Sequence, residues 1–237
     1  MIDIQYAYLV GNVILAVLFW LPIYIYCKDL RREMLLMSLL AAPLGPLTTI
    51  FFLNDYWTPA FIFGAWFPLE DFLFAFLIGG VGGVAYEAFF GKKTSRPLVK
   101  HKRMWALVIF PLGLLWMFAA TSLGYTSIYA SIALLLLLGL ILIIYRPDLR
   151  HAAIFSAVMT GLMMFVMYQI LLLLYPNLIG EWWHIENLSL VFVYGVPLEE
   201  ILWGASWGFF AGPVFEFVAG SRYIQRYAES DTDRAFL

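Results

Sequence analysis

Two short stretches of this chain bring carboxyl groups together in a way that could do chemistry. Phe67-Pro68-Leu69-Glu70-Asp71-Phe72-Leu73-Phe74 and Val196-Pro197-Leu198-Glu199-Glu200-Ile201-Leu202-Trp203 run parallel: Pro68 pairs with Pro197, Glu70 with Glu199 and Asp71 with Glu200, each 129 residues apart. The same offset carries Glu87 onto Glu216 and Gly91 onto Gly220. Both motifs lie in long apolar runs, where an acid costs on the order of 2.5–3.5 kcal/mol to insert into lipid. Adjacent acids on a helix are about 100° apart, so one of each pair can face a cavity while the other faces a neighbouring helix. Glu70 and Glu199 are expected at the cavity, with Asp71 and Glu200 as the second acids, and all four are candidate catalytic groups. Clustered buried carboxyls share protons, which suits donating a proton to a weak base and removing another from the product.

The surrounding residues narrow the chemistry. Aromatic faces stabilise cations, and Trp66, Phe74, Trp203 and Trp207 are the candidate substrate-binding residues among the aromatics that flank the acids. Trp57, Trp182 and Trp183 fit interfacial belts instead. Pro68 and Pro197 are expected to be structural, kinking their helices just before the acids. One cysteine, Cys27, and three dispersed histidines, His101, His151 and His184, give no basis for a Cys- or His-built metal centre, and no metal is expected. Gly79, Gly80, Gly82 and Gly83 lie inside an apolar run with no strand before them, so they read as close helix packing and not as a dinucleotide loop. Glu87 and Glu216 are expected near the cytoplasmic boundary, within reach of water or arginine.

The elements that must position these groups are membrane helices. Of the 237 residues, 63% are hydrophobic and 13% charged, against roughly 45–50% and 25% in soluble domains. A span needs about 20 apolar residues, and seven candidates result: 6–26, 34–53, 60–90, 104–123, 127–145, 152–175 and 187–219. All 14 basic residues fall on one side: Lys28, Arg31 and Arg32; Lys92, Lys93, Arg96, Lys100, Lys102 and Arg103; Arg146 and Arg150; Arg222, Arg226 and Arg234. The other side carries the acids Asp3, Asp55, Glu181 and Glu186. The expected location is the cell membrane, multi-pass, with the N-terminus outside and the C-terminus cytoplasmic. The opening residues Met-Ile-Asp-Ile-Gln do not read as a cleaved signal. A net charge of −2 leaves no footprint for nucleic acid.

Asp29-Leu30-Arg31 also matches Asp148-Leu149-Arg150, here 119 residues apart. Spans one to three therefore repeat as five to seven. The expected organisation is a single membrane domain, 1–237: repeat one over 6–91, a bridging helix over 104–123, repeat two over 127–220 and a cytoplasmic tail over 221–237. An odd number of spans per repeat and one between them makes the repeats parallel, related by a pseudo-twofold axis along the membrane normal.

Paired Pro-x-Glu-(Glu/Asp) motifs, one per three-helix repeat, resemble the membrane-embedded lycopene cyclases. The likeness is to the fused form of the heterodimeric bacterial type, seen also as the cyclase domain of fungal bifunctional cyclase/phytoene synthase proteins. Pro68-Leu69-Glu70-Asp71 and Pro197-Leu198-Glu199-Glu200 carry it. The resemblance implies an all-α integral membrane fold of seven transmembrane helices with a rhodopsin-like layout. It implies a cofactor-independent isomerisation of linear carotenoid ends to rings, lycopene to β-carotene first, at Glu70, Asp71, Glu199 and Glu200. The implied partners are lycopene or a related linear carotenoid and membrane lipid, with room for association with other carotenoid enzymes. The alternative is a proton-coupled transporter or a non-catalytic carotenoid- or lipid-binding membrane protein. A retinal photoreceptor would need a Schiff-base lysine in the last span, and 187–219 has none. An intramembrane protease of the Glu-Glu type would need arginine after the acids and histidines within spans, and a prenyltransferase would need Asp-rich motifs; this sequence has none of these.

Overall fold

In the computed structural model, residues 3–94 and 103–225 are described. The first helix, α1 (Ile4–Tyr26), begins where the Asp3 carboxylate accepts the Gln5 N–H and ends as the backbone leaves the helical region at Cys27. One 3-10 turn, Lys28–Leu30, then leads into α2 (Arg31–Ala41). The same corner recurs later. The helix α6 (Ser127–Tyr145) ends at Arg146, Pro147–Leu149 forms one 3-10 turn, and α7 (Arg150–Leu174) follows. Leu30 and Leu149, matched in the sequence, are both fully buried at these corners.

The expected span over 34–53 is broken. The segment divides into α2 and α3 (Leu44–Asp55), bent by 43°. Pro43 caps α3 and Pro46 lies in its first turn; neither has an N–H to give to the preceding turn, so the helix cannot run through them. Over the matching stretch α7 contains no proline and continues for 25 residues.

The helices that carry the motifs are α4 (Leu69–Phe90) and α9 (Leu198–Ala219), each of 22 residues. They start later than the expected 60–90 and 187–219. Pro68 and Pro197 are their N-cap residues and do not kink them, because proline is tolerated where a helix begins and the N–H would be unpaired in any case. The residues ahead of α4 are irregular. Those ahead of α9 form a hairpin in which β2 (Phe192–Val193) pairs with β3 (Val196–Pro197) through Tyr194-Gly195, both at positive φ as a tight two-residue turn requires. Both motif helices end on left-handed glycines, Gly91 and Gly220, whose N–H groups bond the Glu87 and Glu216 carbonyls. Just beyond, β1 (Lys92–Thr94) pairs antiparallel with β4 (Tyr223–Gln225) and ties the two helix ends together. Two further helices complete the set: α5 (Arg103–Ser122), and the short α8 (Leu178–Trp182) after α7.

Packing follows the internal match. On α4 and α9, Phe74 stacks on Trp203 with centroids 5.8 Å apart, and the Trp207 indole N–H donates to the Ile78 carbonyl at 3.0 Å. Both contacts join positions 129 residues apart. Gly79 and Gly83 of α4 press on Met37 of α2, Gly79 also on Ala41. Gly208 and Gly212 of α9 press on Ser156 of α7, Gly208 also on Thr160. Met37 and Ser156, like Ala41 and Thr160, are 119 residues apart, so matched glycines meet matched partners. A Cβ at Gly79 or Gly208 would run into the neighbouring helix, whose backbone therefore approaches closely only because these residues are glycine.

Among the described residues five helices are long and apolar enough to cross a membrane, and six if the bent α2–α3 pair counts as one span. Large apolar side chains such as Leu39, Ile50, Leu115, Phe118 and Leu173 face outward, while Ser38, Thr160, Ser206 and the motif acids are buried. The protein is a mostly helical membrane protein. Arg96, Lys100 and Lys102 of the basic loop, and the tail from 226 onward with Arg226 and Arg234, lie outside the described residues.

Replacing Gly208 by valine is expected to force α7 and α9 apart and to cost about 1–3 kcal/mol or more. Thermal unfolding of the purified protein in detergent should show a clearly lowered midpoint; an unchanged midpoint would contradict the close helix approach.

Candidate functional site

The four motif acids occupy the first turns of α4 and α9, where the positive end of the helix dipole favours negative charge. All four are buried. Asp71 is hydrogen-bonded through one oxygen by the Tyr8 hydroxyl and through the other by the Thr49 hydroxyl. Glu200 accepts at Oε1 from the Tyr56 hydroxyl at 2.5 Å and the Trp183 indole N–H at 2.9 Å, and Tyr168 hydrogen-bonds it as well. Glu70 accepts the Ile62 backbone N–H at 2.9 Å, while its own carbonyl accepts from the Asn12 amide at 3.0 Å. Glu199 accepts the Ser189 backbone N–H and the Tyr129 hydroxyl, both at 2.7 Å. The outer acid of each pair thus holds the segment that leads into its helix. The inner acid is held by side chains of other helices and loops.

A cavity of about 210 Å³ lies between α3, α4, α5, α6 and α9. Its polar end is formed by Tyr8, Thr49, Tyr56, Asp71 and Glu200; its body is apolar and includes Phe74, Trp203 and Trp207. The expected positions within each pair are exchanged: Asp71 and Glu200 line the cavity, and Glu70 and Glu199 do not. The cause is local. Ile62 and Ser189 present unpaired backbone N–H groups to the helix starts, and the first acid of each motif turns back to meet them.

Three of the four expected substrate-binding aromatics line the cavity. Phe74, Trp203 and Trp207 form one stacked row, with Trp203 and Trp207 only 10° from parallel and 6.3 Å between centroids. Trp66 does not; it sits in the segment ahead of α4, 85% exposed, because the helix expected to carry it inward starts only at Leu69. Trp57 lines the cavity, and Trp182 and Trp183 are buried, so these three are not belt residues. The segments that carry them are knitted together over the site: Trp57 and Trp183 form a β-bridge, the Thr58 N–H bonds the Trp182 carbonyl at 2.7 Å, and the His184 N–H bonds the Tyr56 carbonyl at 2.9 Å.

Tyr8, Thr49, Tyr56, Tyr168 and Trp183 escaped the sequence reading. One signal for two of them was available. Thr49 and Tyr168 are 119 residues apart, the offset of the matched corners, and they serve Asp71 and Glu200, which are themselves matched.

A second carboxyl cluster lies at the other end of the same helices. Glu87 and Glu216, expected within reach of water or arginine, are fully buried, with Arg146 in electrostatic reach of Glu216; Glu33 of α2 joins them, one carboxylate oxygen of each lying within 4.8 Å of the others. The Tyr223 hydroxyl donates to Glu216 at 2.8 Å, and burial beside the three carboxyls pushes its phenol up from its ordinary value.

One carboxyl from each of the two matched motifs thus stands at the end of an apolar cavity inside a helical membrane bundle. Residues 126–218 match the family model described as lycopene cyclase. The resemblance carried by the two motifs therefore stands for this part of the chain, which holds α6, α7, the second motif and most of α9. Comparison with curated proteins and with solved structures finds no match.

Removing a donor from a buried carboxyl leaves it under-bonded, at a cost of about 1–3 kcal/mol. Tyr56→Phe and Thr49→Val are each expected to lower stability by that order, and Tyr26→Phe, at a side chain 82% exposed, to leave it unchanged. Thermal or denaturant unfolding in detergent compares the three.

Proposed function

We propose that this protein cyclises the ends of a linear carotenoid, lycopene being the expected substrate and β-carotene the expected product, by acid–base isomerisation. The observation that carries the reading is that Asp71 and Glu200 share one apolar cavity with a stacked aromatic row. In the proposed reaction a carboxyl gives its proton to a terminal double bond, the resulting cation closes the ring by attack of the next double bond, and a carboxylate removes a proton from the ring. One proton enters and one leaves, so no electron acceptor or donor is consumed. Asp71 and Glu200 are the proposed acid–base pair, and Phe74, Trp203 and Trp207 hold the cation. Glu70 and Glu199 act as positioning residues through the segments they anchor. The cavity is smaller than the roughly 300–1,000 Å³ of sites that enclose a drug-sized ligand. It suits one end group, with the remainder of the polyene lying outside it.

The same reading extends to the layout. We propose seven spans, with α2–α3 as one bent span and α5 as the bridge between two parallel three-helix repeats. Equivalent glycine contacts, equivalent 3-10 corners and contacts between matched positions of α4 and α9 support it. The confinement of basic residues to one side favours an N-terminus outside the cell membrane and a cytoplasmic C-terminus. A proton-coupled transporter would need a wetted path, and the largely apolar lining of the cavity speaks against one.

Expression in a lycopene-producing bacterium, followed by pigment chromatography, should yield ringed product. Asp71→Asn and Glu200→Gln should each cut ring formation about a hundredfold or more while the protein stays in the membrane; Glu70→Gln and Glu199→Gln should cut it less. In deuterium oxide, one solvent deuterium should enter per ring formed. Unchanged lycopene with wild-type protein present, or ringed product without deuterium, would rule the scheme out.

A further inference from the structure

Asp71 and Glu200 stand at the same end of one cavity but are not held alike. Their partners differ in what they can give and take, which bears on the direction in which each acid moves a proton. No lysine, arginine or histidine is among the described residues that line the cavity. Two ionised carboxylates there would repel each other in apolar surroundings with no cation to offset them. The pair is therefore best accommodated with one member neutral.

A hydroxyl has one hydrogen to give and lone pairs to accept with, whereas an indole N–H can only give. Glu200 meets three donors: the Tyr56 hydroxyl at 2.5 Å and the Trp183 indole N–H at 2.9 Å, both at Oε1, and the Tyr168 hydroxyl. A carboxyl that takes three such bonds is favoured as the anion. Asp71 meets two hydroxyls, and one of them has a second claim on its hydrogen. Thr49 Oγ1 lies against Asp71 Oδ2 and also 2.9 Å from the carbonyl of Gly45, one turn back in α3. Its single hydrogen cannot serve both. Were Asp71 ionised, one of these contacts would set two acceptors face to face. With a proton on Asp71 Oδ2 every hydrogen has a place: Oδ2 gives to Thr49, Thr49 gives to Gly45, and Oδ1 accepts from Tyr8. The helix dipoles do not cancel this difference, since both acids occupy the first turn of their helices.

We infer that Asp71 is the acid that begins ring closure and Glu200 the base that ends it, an assignment that rests on the cyclase reading. The Asp71 O–H bond breaks as a C–H bond forms at the terminal double bond of the polyene. The electron pair of the next double bond then closes the ring on the cation. Glu200 takes a proton from a carbon beside the new cationic centre, and the pair of that C–H bond becomes the ring double bond. Asp71 is left ionised and Glu200 protonated, and exchange with solvent resets both. The placement of Glu200 against the ring therefore sets where the double bond falls, while Asp71 sets whether the reaction starts.

Two measurements on the full chain test this, and the first needs no substrate. Infrared spectra of the wild type in detergent at neutral pH should show a protonated-carboxyl band that moves when the aspartate carboxyls carry isotopically heavy carbon. Asp71→Asn should remove that band and Glu200→Gln should keep it; a band absent from the wild type, or unchanged in Asp71→Asn, would overturn the assignment. The second follows lycopene-loaded membranes in deuterium oxide by chromatography and mass spectrometry. Asp71→Asn should leave lycopene unchanged and free of deuterium, with ring formation down about a hundredfold or more, and Asp71→Glu should recover part of the rate with the wild-type ring. Glu200→Gln should also be slow, but its residual product should be a deuterium-bearing ring with the double bond displaced, or a ring alcohol where water has met the cation. Should Glu200→Gln fail to fold, Glu200→Asp should show the displaced product in part. The reverse pattern, or unchanged and deuterium-free lycopene with a folded Glu200 variant, would overturn the assignment. No ring from the wild type would overturn the cyclase reading and the roles with it, while the infrared band would still report whether Asp71 holds the proton.

Discussion

A carboxyl inside a lipid-facing helix bundle has no water to turn to, so each one obliges the protein to bring donors to it. Much of this structure answers that obligation. Asp71 draws in Tyr8 of α1 and Thr49 of α3; Glu200 draws in Tyr56 from the end of α3 and Trp183 from the segment after α8. Glu70 and Glu199 fix the segments ahead of their own helices through Ile62 and Ser189. The acids therefore organise the end of the bundle where α4 and α9 begin. An apolar residue in any of these places would leave its donors without the acceptor that holds them in the fold.

The helices can deliver those donors only because they approach one another closely. Gly79 and Gly208 let α4 and α9 settle against α2 and α7 at a distance that a side chain would prevent. Without a hydrophobic drive between helices in lipid, that close packing is itself a main source of cohesion. Glycine is a poor helix former in water, and its repeated presence at matched positions reflects what the contact demands, not what the isolated helix prefers.

The parts of this design that were legible in the sequence are those set by apolar run length, charge placement and repetition. The runs marked the helices, and the duplicated motif marked the two that carry the acids. Proline was misread in both motifs. Pro68 and Pro197 sit within apolar stretches long enough to look like continuous spans, yet they begin the helices: the apolar residues ahead of them, such as Phe63, Trp66, Leu190 and Phe192, lie largely exposed in an irregular segment and a hairpin and not in a helix turn. That shift displaced Trp66 and brought Trp57 and Trp183 inward. The exchange between Glu70 and Asp71, and between Glu199 and Glu200, lies beyond the reach of helical periodicity. It depends on where Ile62 and Ser189 place their N–H groups, a matter of loop geometry. The glycines, by contrast, were read correctly as packing positions.

The donors also show how far the two halves depend on each other. Tyr56 and Trp57 belong to the first half, yet Tyr56 bonds Glu200 and Trp57 pairs with Trp183 in the second. Trp207 of the second half bonds the Ile78 carbonyl of the first. Asp55 accepts from the Ser127 backbone N–H at 2.8 Å and from its hydroxyl, supplying the start of α6 with an acceptor that its own N-cap side chain does not provide. Neither half could satisfy its buried groups alone, since a separated second half would leave Glu200 without its Tyr56 donor and the start of α6 without its cap. The cavity has one inner acid from each half, so it exists only once the halves have docked. Burial and hydrogen bonding thus tie assembly of the bundle to assembly of the site: the contacts that bring Asp71 and Glu200 to one cavity are the same ones that make their burial tolerable.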